Sequence, residues 1–230
     1  MPEAGLFTLL GVGFLLGVRH ALDVDHLAAV STVLAERPSI LASGSVGLWW
    51  GIGHTLTLLL VGAIVLMSGL RIPTGFELVA ESAVGALLIV LGGSLGFRLY
   101  RERWHVHRHH HDGEPHIHFH SHQRHDDHSH QHWIAESIRP LCIGMAHGLA
   151  GSAALMLMIL ATTTEVAAGL LSILIFGIGS IVGMMCIGVT ISVPVIYSRS
   201  ISPRLFVGVQ SAASFASIAV GMWMLAKMIR

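Results

Sequence analysis

The sequence predicts an all-α, polytopic membrane bundle of six transmembrane helices, and three observations support this fold class. Of its 230 residues, 53% are hydrophobic and only 11% are charged, whereas soluble domains carry about 25% charged residues. Apolar runs long enough to cross about 30 Å of hydrocarbon recur along the chain. Once these runs are counted, no segment remains for a separate soluble domain. We therefore expect one transmembrane domain over residues 1–230.

Apolar runs and proline positions define the expected helices. Proline interrupts a helix interior and is tolerated at its ends, and four prolines lie at or near the boundaries: Pro38, Pro73, Pro140 and Pro203. The first segment is too long for one untilted span, so we expect that it tilts, breaks near Gly17 or protrudes from the bilayer. The expected helices are 5–34, 39–69, 77–103, 134–162, 165–197 and 203–229.

Small residues recur at four-residue spacing in the expected helices, a pattern that lets helices approach closely in lipid. Glycine is also common in membrane helices for other reasons, so a single pair carries little weight. The pairs are Gly13/Gly17, Gly47/Gly51, Gly92/Gly96, Gly144/Gly148 and Gly179/Gly183.

The two halves of the chain resemble each other, which predicts a 3+3 inverted repeat. The segment containing His20, "RHALDVDHLA", aligns with "AHGLAGSAAL", which contains His147. Likewise "WGIGHTLTLLLVG" aligns with "FGIGSIVGMMCIG", pairing His54 with Ser180. Because each half has three spans, the second half enters the membrane from the opposite side, as in many secondary transporters. Repeat 1 covers about 5–103 and repeat 2 about 134–229.

Charge and cysteine content exclude several functions. The net charge is +0 and no helix face is basic, so nothing favours binding to nucleic acid. Cys142 and Cys186 lie in apolar segments outside any CxxC pattern, which argues against a disulfide framework or a thiolate metal site. The N-terminus lacks a basic region and is expected to be a retained span. Most arginines fall on one side, which predicts external termini and a cytoplasmic loop over 104–133.

Ionisable residues interrupt the first predicted helix, in "RHALDVDHLAAV". Three charges at mid-bilayer cost roughly 8–10 kcal/mol, and a bound dication would offset this by neutralising both carboxylates. Two imidazoles and two carboxylates suit Ni²⁺, Co²⁺ or Zn²⁺. On an ideal helix His20, Asp23 and His26 share one face and Asp25 points away, so either Asp25 reaches another neighbour or the helix is irregular. The alternative is a structural network in which Arg19 pairs with Asp23.

Further polar residues lie at similar depth in other helices. His54 in the second helix is expected near His20, and its alternative role is a hydrogen bond to a backbone carbonyl. His147 has lost the acidic partners of its repeat and is a secondary candidate. Small hydroxyl residues more often bond their own helix. The secondary candidates are His147, Arg19, Thr55, Ser152 and Ser180.

The motif "RHALDVDH" resembles the His-x4-Asp-His signature of the nickel/cobalt transporter family, and "GIGHTLTLLLVG" resembles that family's second conserved stretch. The similarity is to the short six-span branch, which includes urease-accessory nickel transporters and nickel/cobalt efflux proteins. It implies Ni²⁺ or Co²⁺ as transported ion, no catalytic cofactor, and the cytoplasmic membrane of a prokaryote. A metallochaperone or a urease or hydrogenase maturation protein is the implied cytoplasmic partner. The metal-selecting positions would be His20, Asp23, Asp25, His26 and His54.

A histidine-rich loop separates the two repeats. Its composition predicts no fixed structure without ligand. Neutral imidazoles bind several divalent metals with little selectivity, so the loop would concentrate or buffer metal; alternatively it is a dispensable linker. Its histidines are His105, His107, His109, His110, His111, His116, His118, His120, His122, His125, His128, His130 and His132.

The leading hypothesis is a secondary transporter of Ni²⁺, with Co²⁺, and not an enzyme. Import is favoured, because a membrane potential drives a dication inward by about 4.6 kcal/mol per 100 mV. Nickel/cobalt efflux through the same fold is the first alternative. An intramembrane metallohydrolase is a distant one, because HExxH is absent and Glu36, Glu77, Glu81 and Glu165 lie near span ends. A third is a metal sensor centred on the histidine-rich loop.

Overall fold

The computed structural model describes residues 3–36, 39–69, 75–101, 106–111, 114–119, 137–150 and 165–228. These form seven helical segments and one two-stranded hairpin. The helices are α1 (Glu3–His20), α2 (Val24–Glu36), α3 (Ile40–Ser68), α4 (Phe76–Arg101), α5 (137–150), α6 (Val166–Ile201) and α7 (Pro203–Lys227). The strands are β1 (Val106–His111) and β2 (Glu114–Phe119).

The helices confirm a membrane bundle. Within the described residues α3, α4, α6 and α7 are long and apolar enough to cross a bilayer, and α1 has a shorter apolar stretch over Leu10–His20. One of the expected boundaries is observed at a proline: α7 begins at Pro203, and the Ser202 hydroxyl before it accepts a hydrogen bond from the backbone N–H of Leu205 at 3.1 Å. This is a standard N-terminal cap. Pro38 and Pro73 lie outside the described residues, whereas Pro194 lies inside α6. The chain is therefore a multi-pass helical membrane protein.

The first predicted helix is broken, and the break lies at Ala21–Asp23 rather than at Gly17. Backbone N–H groups of Leu22 and Asp23 donate to carbonyls three residues earlier, at 2.9 and 3.0 Å, forming a tight turn. Asp23 then caps α2, since its carbonyl accepts from Leu27 at 3.0 Å and aspartate favours this position. Gly17 instead allows α1 to pack closely on α6, because a Cβ there would clash with the backbone of Phe176.

Helix α2 lies inside the bundle. It contacts α3, α4, α6 and α7, while α1 packs against α6, α3 against α6, and α4 against α7. The core around α2 includes Ala29, Val30, Trp50 and Leu88, all without solvent exposure. Burial along α2 begins at His26, whereas Asp23 and Val24 at its broken end are exposed.

Close helix crossings confirm the expected role of most of the paired glycines, although a Cβ at Gly13 would make only an ordinary contact, at 3.7 Å from Ile175. A Cβ at Gly51 would lie 2.8 Å from Cα of Ile181, and one at Gly148 would lie 2.6 Å from the carbonyl oxygen of His54. Only glycine permits these distances. The α4–α7 contact also has hydrogen bonds, because the hydroxyl of Ser214 donates to the carbonyl of Gly92 at 2.8 Å.

The expectation of a structureless loop is wrong over 106–119, where β1 and β2 pair antiparallel. In this register His107 lies opposite His118 and His109 opposite His116. The reason is visible in the sequence: "HVHRHHHDGEPHIHFH" interleaves histidine with Val, Ile and Phe around an Asp-Gly dipeptide, a composition that favours tight hairpins. The remaining loop histidines, His105, His120, His122, His125, His128, His130 and His132, lie outside the described residues.

Candidate metal centre

The break between α1 and α2 brings the first motif together. His20 ends α1, Asp23 lies in the turn, and Asp25 and His26 occupy the first turn of α2. Because the backbone is irregular at Ala21–Asp23, Asp25 does not point away as it would on a continuous helix. Of the two alternatives that the sequence left open, the irregular helix is the one observed.

Two overlapping groups of potential ligand atoms form at the break. The atoms of His20, His26 and His54 lie within 4.8 Å of one another, and so do those of Asp23, Asp25 and His26. His26 belongs to both groups. Carboxylate and imidazole donors at this spacing suit one divalent first-row metal ion.

The imidazole rings form a continuous cluster that extends beyond the first motif. The ring centroid of His20 lies 4.7 Å from that of His26 and 5.1 Å from that of His54. The His26 ring is also 5.1 Å from the ring of His147 on α5. His147 therefore lies beside the cluster, and its Nε2 is 4.0 Å from Oδ2 of Asp25.

Buried ring nitrogens without hydrogen bonds distinguish this cluster from an ordinary polar core. Within the described part of the chain, both ring nitrogens of His26 and of His54, and Nε2 of His147, are buried and have no hydrogen-bond partner. Each such group costs about 1–3 kcal/mol, and native cores avoid them. A bound metal ion would accept the lone pair of one nitrogen in each ring and remove that part of the cost.

Neighbouring groups orient two of the rings. Nδ1 of His20 donates to Oδ2 of Asp23 at 2.8 Å, and Nδ1 of His147 donates to the carbonyl of Ile143 at 3.3 Å. Such bonds leave Nε2 of each ring as the lone-pair donor, the arrangement usual for metal-binding histidine. Nδ1 of His26 lies 3.4 Å from Oδ1 of Asp25.

The alternative pairing of Arg19 with Asp23 is not what the structure shows. Asp23 pairs with His20 instead, and Arg19 lies exposed at the wall of a cavity. The turn at Ala21–Asp23 removes the i,i+4 relationship on which that pairing depended.

Two of the remaining secondary candidates lie between helices. Thr55 and Ser180 are buried on α3 and α6, and their hydroxyls have no hydrogen-bond partner among the described residues. They do not follow the usual bond to their own helix, which Thr57 makes to the carbonyl of Gly53 at 3.1 Å. Ser152 lies outside the described residues.

A cavity of about 650 Å³ leads to the cluster from one end of the bundle. Its inner wall includes His20, Asp23 and Asp25, while His26 and His54 lie deeper and are buried. Glu77 and Glu81, at the start of α4, line the same cavity. The sequence correctly placed these glutamates near a span end, but only the tertiary fold brings them to the path that leads to the aspartates.

Trp50 is a neighbour of the cluster that the sequence did not single out. Its ring lies 5.1 Å from the ring of His147, and its indole nitrogen is buried without a hydrogen-bond partner among the described residues. The sequence could have indicated this, because Trp50 precedes His54 by four residues and therefore lies on the same side of α3.

The fold and the cluster define a class: a multi-pass helical membrane protein with histidine and aspartate side chains gathered at a helix break inside the bundle. Residues 7–223 match the family of the cytochrome c biogenesis protein transmembrane region. The chain is 34% identical over 194 residues to the urease accessory protein UreH of Bacillus sp. (strain TB-90), covering 84% of this chain and 80% of that relative. No solved structure matches it.

The chain therefore belongs to the cytochrome c biogenesis transmembrane-region family. Its relationship to UreH confirms the resemblance to the urease-accessory branch of the nickel/cobalt transporters.

Proposed function

We propose that this protein is a secondary transporter that moves Ni²⁺, with Co²⁺, across the cytoplasmic membrane of a prokaryote. The ion is cargo, and no catalytic cofactor is involved. The relative UreH is a urease accessory protein, which supports a nickel-related role. The proposed binding residues are His20, Asp23, Asp25, His26 and His54, with His147 beside them.

The observation that carries this proposal is the set of buried, unpartnered imidazole nitrogens beside two carboxylates. A purely structural cluster would satisfy its own polar atoms. Imidazole and carboxylate together favour borderline metals of the first transition row over Mg²⁺ or Ca²⁺. Broken helices inside a bundle are also where secondary transporters bind ions.

We propose six spans arranged as a 3+3 inverted repeat. In this arrangement α1 and α2 together form the first span, and α5 belongs to the fourth. Corresponding helices of the two halves pack on each other, α3 on α6 and α4 on α7. His54 and Ser180, which the repeat pairs, are both buried without a hydrogen-bond partner among the described residues. These contacts support a pseudo-two-fold axis that relates repeat 1 to repeat 2.

Import is the favoured direction, because the membrane potential alone supplies about 4.6 kcal/mol per 100 mV for a dication moving inward. We place both termini outside and the histidine-rich loop in the cytoplasm, where it captures metal for a metallochaperone or a urease or hydrogenase maturation protein. Efflux through the same site is the alternative, with the loop gathering metal for export.

Direction-resolved flux tests the proposal. Purified protein in sealed vesicles is given radioactive Ni²⁺ on one side, with an imposed potential of either sign, and with Co²⁺ or Zn²⁺ as competitors. We expect flux that follows an inside-negative potential and that Co²⁺ inhibits. The matched variants are His54→Ala, which should abolish flux, and Gly93→Ala, at a position where a Cβ meets open space, which should retain it. Flux equal to that of empty vesicles would refute transport, and a metallohydrolase would show none without its substrate.

A further inference from the structure

An ion triad joins three helices at the end of α2. Arg139 of α5 donates to Glu36 through Nη1 and Nη2, at 2.7 and 3.2 Å, forming a bidentate pair. Arg98 of α4 donates to the same carboxylate at 3.0 Å. The Glu36 side chain is only 8% exposed, so solvent compensates little of its negative charge and these two arginines compensate it instead.

The triad lies at the opposite end of the bundle from the cavity mouth. An α-helix rises 1.5 Å per residue, so Glu36 lies about 15 Å along α2 from His26. On α4, Arg98 lies about 25 Å beyond Glu81, which lines the cavity. Arg139 likewise precedes His147 by about 12 Å on α5. All three helices therefore place their triad residue on the far side of the cluster.

Packed side chains fill the space between the triad and the cluster. Ala29 and Val33 of α2 and Ile143 of α5 are buried there. The side-chain amide of Gln210 donates to the carbonyl of Ala35 at 2.6 Å, attaching α7 to the same end of α2. The cluster is thus reached by a cavity from one end, and at the other end buried side chains of the described residues separate it from the triad.

We propose that Glu36, Arg98 and Arg139 form a gate that closes this second end and must separate before the ion passes. This inference rests on the proposed transport function. If the Glu36 carboxylate loses one arginine, its buried charge is no longer fully compensated. We therefore expect all three residues of the triad to separate together. While the triad is closed, Arg139 holds α5 to α2 and Arg98 holds α4 to α2. Loss of a charge-assisted hydrogen bond corresponds to a change of about 10-fold to 100-fold in such an equilibrium.

Cysteine accessibility tests the gate without requiring transport. The reporter is Val33→Cys, a substitution of similar size one turn inward from Glu36, in a background with Cys142→Ser and Cys186→Ser. Sealed vesicles are treated with a membrane-impermeant methanethiosulfonate from the face where α4 ends. We expect Glu36→Gln to raise the labelling rate about 10-fold or more. Glu81→Gln, at the other end of α4, is the matched control and should leave the rate within about twofold.

The two arginine variants keep the test decisive if Glu36→Gln fails to fold. Arg98 and Arg139 have side chains 43% and 46% exposed, so their replacement by glutamine is compatible with folding. Arg139→Gln should raise labelling more than Arg98→Gln, because Arg139 makes two hydrogen bonds to the carboxylate and Arg98 makes one. Rates unchanged in both arginine variants would overturn the gate while leaving Ni²⁺ flux intact as separate support for transport. Raised labelling in a protein without Ni²⁺ flux would refute transport and would leave the triad as a closure of this end with no role in ion passage.

Discussion

Replacement of His54 by leucine should stabilise the metal-free protein while it destroys metal binding. His54 is fully buried, and neither of its ring nitrogens has a hydrogen-bond partner among the described residues. Leucine has a similar volume and no polar atoms. His54→Leu therefore removes an energetic cost that the wild-type protein recovers only when an ion is bound.

The size of the effect follows from these two nitrogens. At about 1–3 kcal/mol for each buried unpaired group, their removal contributes about 2–6 kcal/mol. The change in side-chain shape costs about 1–3 kcal/mol. At the middle of these two ranges, the free energy of unfolding of the metal-free variant should rise by about 2 kcal/mol, and Tm by about 2–4 °C for each kcal/mol.

Thermal unfolding in detergent measures both consequences. With a chelator present, His54→Leu should unfold at a higher temperature than the wild type. Addition of Ni²⁺ at about 100 times Kd should stabilise the wild type by about 2.7 kcal/mol and the variant by nothing measurable. His147→Leu is the matched control: it relieves one unpaired nitrogen but loses the bond to Ile143 and has the same shape cost, so its metal-free stability should fall by about 1 kcal/mol.

A metal-free His54→Leu protein that unfolds below the wild type would refute this reasoning, because it would mean that the imidazole has a stabilising partner. Equal stabilisation of variant and wild type by Ni²⁺ would show that the ion binds elsewhere.

Four further predictions concern the cluster, the helix contacts and the loop. His26→Ala should abolish Ni²⁺ flux with folded protein retained, since His26 belongs to both ligand groups, and undiminished flux would contradict the site. Lowering the pH towards 5 should weaken Ni²⁺ binding measured by calorimetry, because only neutral imidazole coordinates metal; tighter binding would exclude imidazole ligands. Gly179→Ala should lower the unfolding temperature, since its Cβ would clash with the Phe14 carbonyl, whereas Gly93→Ala should leave it equal or higher. Deletion of residues 105–132 should lower the number of bound ions but preserve flux, whereas loss of function on this deletion, with function retained in His20→Ala, would favour a loop sensor.

Helix positions were predictable because they depend on local composition. Length and hydropathy place the apolar runs, and prolines such as Pro203 mark where a helix begins. The contacts of Gly51 and Gly148 were predictable for a similar reason, since small residues at helical spacing have few other uses in lipid. The type of site was also visible in the first motif, because charged residues are expensive in a span.

The features that were missed or left open depend on tertiary contacts. Whether Asp25 joins the cluster depends on the turn at Ala21–Asp23, and that turn depends on how α1 and α2 pack on different neighbours. The Glu36–Arg139 pair joins residues far apart in the sequence, and no local pattern relates them. The hairpin was missed because the bias towards histidine concealed an alternating pattern around Asp-Gly.

The helix break has a mechanical consequence. His20 is carried by α1, which packs against α6, whereas His26 is carried by α2, which packs against α7 and α4 as well as α6. The two ligands therefore sit on opposite sides of a joint, and any rotation there changes the geometry of coordination. Ion affinity and helix orientation are then thermodynamically linked. A change in the angle between α1 and α2 changes the affinity for the ion, and a bound ion opposes that change of angle.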